Sequence, residues 1–205
     1  TRKGPGMSEP LFKSAHQALS FAYNFSDSTL DRPLMNRLAD KYKPTGKGLS
    51  GVDGAGQAGM ILRRIEKTLP RLQKMILIAR FAAKDDSCPC CGGEVPSLIW
   101  MGAIREISDA AVAQALSGHV TMRALRDGLV ARYFGKKTHI QTLAKKANVN
   151  RDTASKQNSQ IVMWLHGTRT TKKGHIREDG VKGQEQMALE AAEAVLYEAG
   201  LIGEE

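Results

Sequence analysis

Apolar residues recur at intervals of three or four along most of this chain, and this periodicity restricts its fold more than any other feature. Leu11, Ala15, Leu19 and Ala22, for example, share one side of a helix. No long alternating run and no Asn-Gly hairpin signal is present. The sequence therefore predicts an all-α, multi-helix protein. Helices are predicted at residues 11–23, 31–42, 53–68, 69–82, 97–116, 120–134, 139–147, 151–166 and 184–201.

Residues that favour helix N-termini or C-termini define several of these predicted helix ends. Asp53 and Ser97 are expected as N-caps, Pro70 in the first turn of its helix, and Gly118 as a C-terminal stop. At the start of the chain, TRKGPG precedes Met7 and resembles a remnant of an expression vector, so Met7 is the expected start.

The chain divides into five predicted regions with different compositions. They are a tail at 1–10, a helical N-terminal region at 11–118 with a Cys-rich loop at 85–96, a helix-turn-helix region at 119–167, a basic glycine-punctuated linker at 168–183, and an acidic C-terminal helix at 184–205.

Charge is distributed unevenly between these regions. The net charge is +9, yet residues 184–205 carry six acidic residues and no Lys or Arg, which leaves 30 basic against 15 acidic residues in 1–183. Such a basic body favours a polyanionic partner, and nucleic acid is expected because no basic amphipathic anchor is visible. No run reaches the roughly 18–20 apolar residues of a membrane span, so the expected location is the cytoplasm.

The polar run KKANVNRDTASKQNSQ (145–160) lies between the apolar stretches HIQTL and IVMWL. A helix-turn-helix predicts this arrangement: a short first helix, a tight turn, and a second helix with a polar N-terminal face. Ala144 supplies the small residue where the helices cross, and Asn148 stands where the turn needs a left-handed residue. Val149 is predicted to plug the turn into the core and Asn150 to cap the second helix. The other predicted inward residues are Ile140, Leu143, Ala147, Ala154, Ile161, Trp164 and Leu165.

The outward side chains of this unit are of types that bind base edges and phosphates. Arg suits guanine, Asn suits adenine, and Ser or Lys binds several acceptors. The predicted DNA-binding residues are Lys145, Lys146, Asn150, Arg151, Ser155, Lys156, Asn158 and Ser159, followed in the linker by Arg169, Lys172 and Lys173. Gln157 departs from the pattern because an aliphatic residue is usual at its position. The alternative is an ordinary helical hairpin with a solvated polar face.

The stretch VARYFGKKTHIQTLAKKANVNRDTASKQNSQIVMWLHG resembles the C-terminal helix-turn-helix of bacteriophage Q-type late-gene antitermination proteins, which resemble the promoter-recognition domain of sigma factors. The resemblance implies binding to double-stranded DNA near a late promoter, followed by loading onto bacterial RNA polymerase so that terminators are ignored. The expected setting is the cytoplasm of a bacterial host. A helix-turn-helix repressor and a small-terminase-like DNA-packaging protein remain alternatives, and the oligomeric state is left open.

Three cysteines stand within four positions, at Cys88, Cys90 and Cys91. Cys-Pro-Cys-Cys-Gly matches half of a zinc ribbon, and an odd, tightly clustered number of cysteines indicates a reducing compartment. Structural zinc needs four ligands, and the nearest further candidate is His119. Zinc is therefore a possible cofactor, with a turn carrying reduced thiols as the alternative. The resemblance implies two complete knuckles, and this chain departs from that pattern.

No catalytic site is predicted. The sequence from Gly54 to Gly59 fits the dinucleotide pattern GxGxxG, but no strand precedes it and no βαβ unit surrounds it. A steric role is expected instead, with small residues allowing a close neighbour. The histidines have no partnered nucleophile or carboxylate at a spacing that favours a site, so a binding protein rather than an enzyme is expected.

Overall fold

The described part of the chain is mostly helical and contains one small sheet. The computed structural model describes residues 10–25, 51–88, 90–117, 122–168 and 181–203. Its elements are α1 (Ala15–Asn24), α2 (Gly51–Thr68), α3 (Arg71–Phe81), β1 (Asp85–Ser87), β2 (Glu94–Pro96), α4 (Leu98–Gln114), α5 (Arg123–Tyr133), α6 (Ile140–Lys146), α7 (Arg151–His166) and α8 (Gln184–Glu198).

These elements form two compact units. The first contains the residues up to Thr68 and those from Ala192 to Glu205. Within it α1 packs on α2, and Leu19, Ile61 and Ile65 are fully buried. The backbone N–H of Phe12 donates to the carbonyl of Leu201 at 3.1 Å, so the segment before α1 pairs with the segment after α8.

The second unit, Leu69–Ala191, carries the residues on which functional predictions were made. In it α3 packs on α4, α4 on α5, and α5 on both α6 and α7. Trp100 in α4 is buried, and its indole N–H donates to the carbonyl of Ala79 in α3 at 3.0 Å. The interior of this unit is therefore built between neighbouring helices, as the periodicity predicts.

Several predicted helix limits are confirmed and others are wrong. Helix α7 ends at His166 as expected, while α2 begins at Gly51, so Asp53 lies in its first turn instead of at its cap. Ser97 takes the N-cap position of α4 without a side-chain hydrogen bond. The expected helix at 31–42 and the expected stop at Gly118 lie outside the described residues.

The prediction of an all-α chain is wrong at residues 85–96. Strands β1 and β2 pair antiparallel there, with Asp86 opposite Val95. The expected Cys-rich loop is therefore the tip of a β-hairpin. Strands of three exposed residues are too short to produce an alternating pattern, so the sequence contains no signal for them.

Three further predicted boundaries differ from the structure, at the starts and ends of helices. Leu11 lies before α1 and is exposed, because α1 begins only at Ala15. The acidic helix ends at Glu198, and Gly200 follows with a left-handed φ of 67° that ends such helices favourably. The region 168–183, expected to be a linker, has paired ends: Gly167 bridges Lys182, and the N–H of Thr168 donates to the carbonyl of Val181 at 3.2 Å.

Candidate nucleic-acid interface

The turn between α6 and α7 has the geometry predicted from the sequence. Asn148 has a φ of 51°, in the left-handed region, so the expectation for this residue is confirmed. The N–H of Val149 then donates to the carbonyl of Ala144 at 2.9 Å, which closes the turn. Asn150 caps α7, since its side-chain oxygen accepts from the N–H of Asp152 at 2.8 Å. These bonds fix the direction in which α7 leaves the turn.

Small residues and aliphatic residues form the inner side of the α6–α7 pair. Ala144 and Ala154 are buried, as are Ala147, Ile161 and Leu165. Ile140, Leu143 and Val149 are half-buried, which is less than the sequence predicts. Trp164 is also half-buried, and its indole N–H donates to the side chain of Gln114 in α4 at 3.2 Å.

Leu143 reaches α5 at a glycine. A Cβ added to Gly128 would lie 2.5 Å from Cδ2 of Leu143, so the Leu143 side chain occupies the space over this glycine and would have to shift to admit a larger residue. Gly128 therefore gives the Leu143 side chain its place against α5.

The opposite side of α7 is polar and open. Arg151, Ser155, Lys156 and Ser159 are exposed, as predicted, and so are Lys145 and Lys146 in the last turn of α6. A shallow depression of about 600 Å³ runs along this side. Its lining residues are Asp152, Ser155, Lys156, Ser159 and Gln160. The lining contains one cation, Lys156, one carboxylate, Asp152, and three neutral groups that can form hydrogen bonds with a polar ligand.

Three of the predicted base-contacting side chains already make hydrogen bonds within the protein. The Asn150 oxygen serves the helix cap, and the Ser159 hydroxyl donates to the carbonyl of Ser155 at 3.1 Å. Asn158 is half-buried, and its oxygen accepts from Arg132 of α5 at 3.2 Å. Of the predicted set on α7, Arg151 and Lys156 are the exposed charged side chains.

Arg132 and Gln160 were missed by the sequence analysis. Arg132 is exposed in the last turn of α5 and meets α7 only through folding, so nothing in the local sequence indicates its partner. Gln160 lies one helical turn after Lys156, at the spacing that puts two side chains on one face. That spacing could have identified it.

The departure at Gln157 has a structural counterpart. This side chain is half-buried, and its oxygen is shielded from solvent with no hydrogen-bond partner in the described part of the chain. A buried amide oxygen without a partner costs about 1–3 kcal/mol. The expected aliphatic contact is therefore replaced here by an unfavourable polar one.

Charged side chains attach α5 to α4. Arg126 is buried and donates to Asp109 at 3.0 Å, and Arg123 also donates to Asp109. The hydrogen bond from Arg123 and the nearby charge of Arg126 hold the pKa of Asp109 below its usual value. This carboxylate is thus a shared anchor for the helix that supports α6 and α7.

A second depression, of about 320 Å³, lies at the C-terminal end of α7. Its lining residues are Asn158, Ser159, Val162, Met163, His166, Gly167 and Thr168. The predicted contacts Arg169, Lys172 and Lys173 lie outside the described residues. The segment that holds them leaves and re-enters at the Gly167–Lys182 bridge, directly after α7.

The hairpin tip brings the three cysteines together. Their sulfurs all lie within 4.8 Å of one another, so this cluster could hold a metal ion. The N–H of Cys88 donates to the carbonyl of Gly93 at 2.7 Å, and the Cys88 and Cys90 sulfurs are 2.9 Å apart. The hydrogen bond from Cys90, with backbone N–H groups at the tip, lowers the pKa of Cys88 to about 7, while the same contact raises the pKa of Cys90.

The glycine pattern at residues 54–59 lies inside α2. No described neighbour comes within 4 Å of a Cβ added to Gly56 or to Gly59. Among the described residues, the expected close neighbour at these two glycines is therefore absent. A helix interior also lacks the free N–H groups that a phosphate site at this pattern would use.

Comparison of the chain with protein-family models, with curated proteins and with solved structures finds no significant match in any of the three. Within the described ranges, no helix is both long enough and apolar enough to cross a membrane.

Proposed function

We propose that this protein is a phage-type transcription regulator that binds double-stranded DNA, with α6, its turn and α7 acting as a helix-turn-helix. The observation that carries the proposal is the left-handed Asn148 between two helices whose inner side is buried and whose outer side, on α7, is polar and open. Such a helix fits the major groove of DNA.

Different exposed residues would contact the bases and the phosphates of the DNA. Arg151 and Lys156 are the side chains with free reach toward base edges, joined by Ser155 and Gln160. Lys145 and Lys146, in the last turn of α6, would contact phosphates. Asn158 stays bonded to Arg132, so its contribution is to hold Arg132 beside α7.

The more specific form of the proposal is a Q-like antiterminator that binds near a late promoter and loads onto bacterial RNA polymerase in the host cytoplasm. It is supported by the resemblance of residues 130–167 and by the basic body of the chain. The Cys cluster supports a second part of the proposal, in which Cys88, Cys90 and Cys91 hold zinc.

DNA binding is tested with the double variant Arg151→Ala/Lys156→Ala on genomic fragments upstream of late genes. Specific footprints should disappear while circular dichroism and the melting temperature stay unchanged, because both side chains are exposed. A matched control is Lys67→Ala/Arg64→Ala, which removes two exposed cations from α2. Unchanged footprints in the α7 variant would reject the assignment of α7 as the recognition helix.

Antitermination is tested by transcription in vitro through a terminator placed behind the cognate late promoter. Readthrough that depends on the protein supports the antiterminator. Normal DNA binding without readthrough points to a repressor. A ring of many copies in light scattering would instead favour a terminase-like packaging protein.

A further inference from the structure

The sulfurs of Cys88 and Cys90 stand closer together than a shared zinc ion would hold them. They lie 2.9 Å apart. Two thiolates on one tetrahedral zinc ion, each with a Zn–S bond of about 2.3 Å, are separated by roughly 3.8 Å. A disulfide bond is about 2.05 Å long, so closing the observed distance by about 0.9 Å brings the two sulfurs to bonding distance. As they stand, the two thiols are in direct contact.

Backbone hydrogen bonds close the hairpin tip around Cys88. Its N–H donates to the carbonyl of Gly93 at 2.7 Å, and the N–H of Gly92 donates to the carbonyl of Cys88 at 2.8 Å. Gly92 takes a left-handed φ of 69°, which glycine adopts without strain. Only Pro89 separates Cys88 from Cys90 in the sequence. The contact between the two sulfurs is therefore local to this tip and needs no movement of a distant element.

The two sulfurs differ in their access to solvent. Cys90 is exposed, while Cys88 is half-buried. The strands on either side of the tip are exposed along their whole length, so a small molecule reaches Cys90 without any opening of the core. An accessible cysteine that reacts first, with a second cysteine in contact to resolve the product, is the arrangement that thiol–disulfide exchange requires.

Cys91 is the competing partner within the same cluster. Its sulfur lies within 4.8 Å of the other two. It stands over Gly93, where it would be 3.4 Å from an added Cβ. The contact of 2.9 Å nevertheless pairs Cys90 with Cys88, so Cys91 is expected to remain a free thiol when the other two react.

We propose that Cys88 and Cys90 are a reversible thiol–disulfide site that exchanges with low-molecular-weight disulfides such as glutathione disulfide. The Cys90 sulfur attacks one sulfur of glutathione disulfide, whose S–S bond breaks, and the departing glutathione takes the Cys90 proton. The Cys88 sulfur then attacks the Cys90 sulfur and releases the second glutathione, which takes the Cys88 proton. The two protein thiols lose two electrons in all, and glutathione disulfide gains them.

The resulting disulfide would be easily reduced. It joins residues only two positions apart, so it restricts the unfolded chain very little and contributes little to stability. Exposed disulfides of this kind belong to the labile and regulatory class. In a reducing compartment the dithiol is the resting form, and the disulfide forms when the concentration of glutathione disulfide rises.

The proposed exchange is independent of DNA binding and uses two of the sulfurs of the proposed zinc site. A sulfur in a disulfide cannot bind zinc as a thiolate, so the ion and the disulfide exclude each other. The test therefore begins with the full chain after reduction and removal of metal with a chelator.

The test equilibrates this chain with glutathione disulfide, blocks the remaining thiols with an alkylating reagent, and locates each modification by fragmentation of the cysteine-containing peptide in a mass spectrometer. We expect Cys91 to be alkylated and Cys88 to be joined to Cys90. This disulfide should exceed glutathione-bound protein about tenfold or more, because the second attack is between groups already in contact. Reduced glutathione alone should restore all three thiols.

A chain that keeps glutathione on Cys90, or that forms a disulfide through Cys91 instead, overturns the proposed pairing. So does a disulfide that reduced glutathione leaves intact. These measurements use the unsubstituted chain, so they hold even if a substitution disturbs the hairpin.

Variants give a second measurement of the pairing. Cys88→Ser removes the resolving sulfur, so the fraction of chains with glutathione on Cys90 should rise about tenfold or more. Cys91→Ser is the matched control, and it should form the disulfide between Cys88 and Cys90 as the parent does. Equal retention of glutathione in the two variants would contradict the proposed pair.

Zinc uptake by the reduced chain, measured by elemental analysis, distinguishes the exchange from the zinc part of the proposed function. Zinc uptake without disulfide formation rejects the exchange and leaves zinc binding standing. Disulfide formation without zinc uptake supports the exchange and rejects zinc binding. The absence of both rejects both.

Discussion

Gly128 of α5 lies directly beneath Leu143 of α6, and a methyl group on the glycine would stand 2.5 Å from Cδ2 of the leucine. Gly102 of α4 has no described neighbour within 4 Å of the same added atom. The two positions are both inside helices and differ only in what surrounds them.

Alanine at these glycines should have opposite effects. Gly102→Ala should raise the free energy of unfolding by about 0.5–1 kcal/mol, because alanine favours a helix interior. Gly128→Ala gains the same amount but overpacks Leu143, so we expect a net loss of up to about 2 kcal/mol. Urea unfolding measures both, and equal stabilisation would contradict the packing of Leu143 over Gly128.

The turn residue Asn148 provides a second prediction. Asn148→Gly should leave stability within about 0.5 kcal/mol of the parent, since glycine accepts a left-handed φ without strain. Asn148→Ala should cost about 1–2 kcal/mol, because a Cβ without a compensating polar group disfavours that conformation. Thermal unfolding compares them, and an alanine variant as stable as the glycine variant would rule out the left-handed turn.

The ionisation of Asp109 makes the free energy of unfolding depend on pH. Its pKa is held low by Arg123 first and Arg126 second, so its contribution is present above the unfolded value near 3.9 and is lost as pH falls through the folded pKa. Asp109→Asn leaves the buried Arg126 without this carboxylate. We expect the free energy of unfolding at pH 7 to fall by about 1–2 kcal/mol, a figure that already allows for solvent screening at the half-exposed Asp109.

The measurement for Asp109 is urea unfolding from pH 7 to pH 3. The difference between parent and variant should shrink as pH falls below about 4. Glu190→Gln is the control, since Glu190 pairs with the exposed Lys182 and should cost much less. A difference that is constant with pH would contradict the ion pair.

Salt dependence tests the roles of the lysines in α6. For the specific DNA site, Lys145→Ala/Lys146→Ala should reduce the slope of log K against log salt by roughly 1–2, because each phosphate contact releases about one counterion. Fluorescence anisotropy at several salt concentrations gives the slopes. An unchanged slope with weaker binding would mean that these lysines act through the fold.

Local signals in the sequence were enough to predict the turn between α6 and α7. Three predictions there depend only on the type of a single residue: a small side chain at Ala144, a left-handed backbone at Asn148 and a helix cap at Asn150. The structure confirms all three. The polar side of α7 followed from helical spacing alone.

Features that join distant residues could not be predicted. The hydrogen bond between Arg132 and Asn158 links α5 to α7, and the exposed three-residue strands at the Cys cluster have no periodicity of their own. The indole N–H of Trp164 likewise donates to the side chain of Gln114, fifty residues earlier. Such contacts are set by how the helices pack, which a single sequence does not specify.

The bridge between Gly167 and Lys182 joins the residue that follows α7 to the segment that precedes α8. Gly183 fits only because it has no side chain: an added Cβ would collide with the backbone of Leu165 and His166. The added Cβ would lie 2.2 Å from the carbonyl carbon of His166 and 2.3 Å from the carbonyl oxygen of Leu165. Gly183 therefore sets how closely the start of α8 can approach the end of α7.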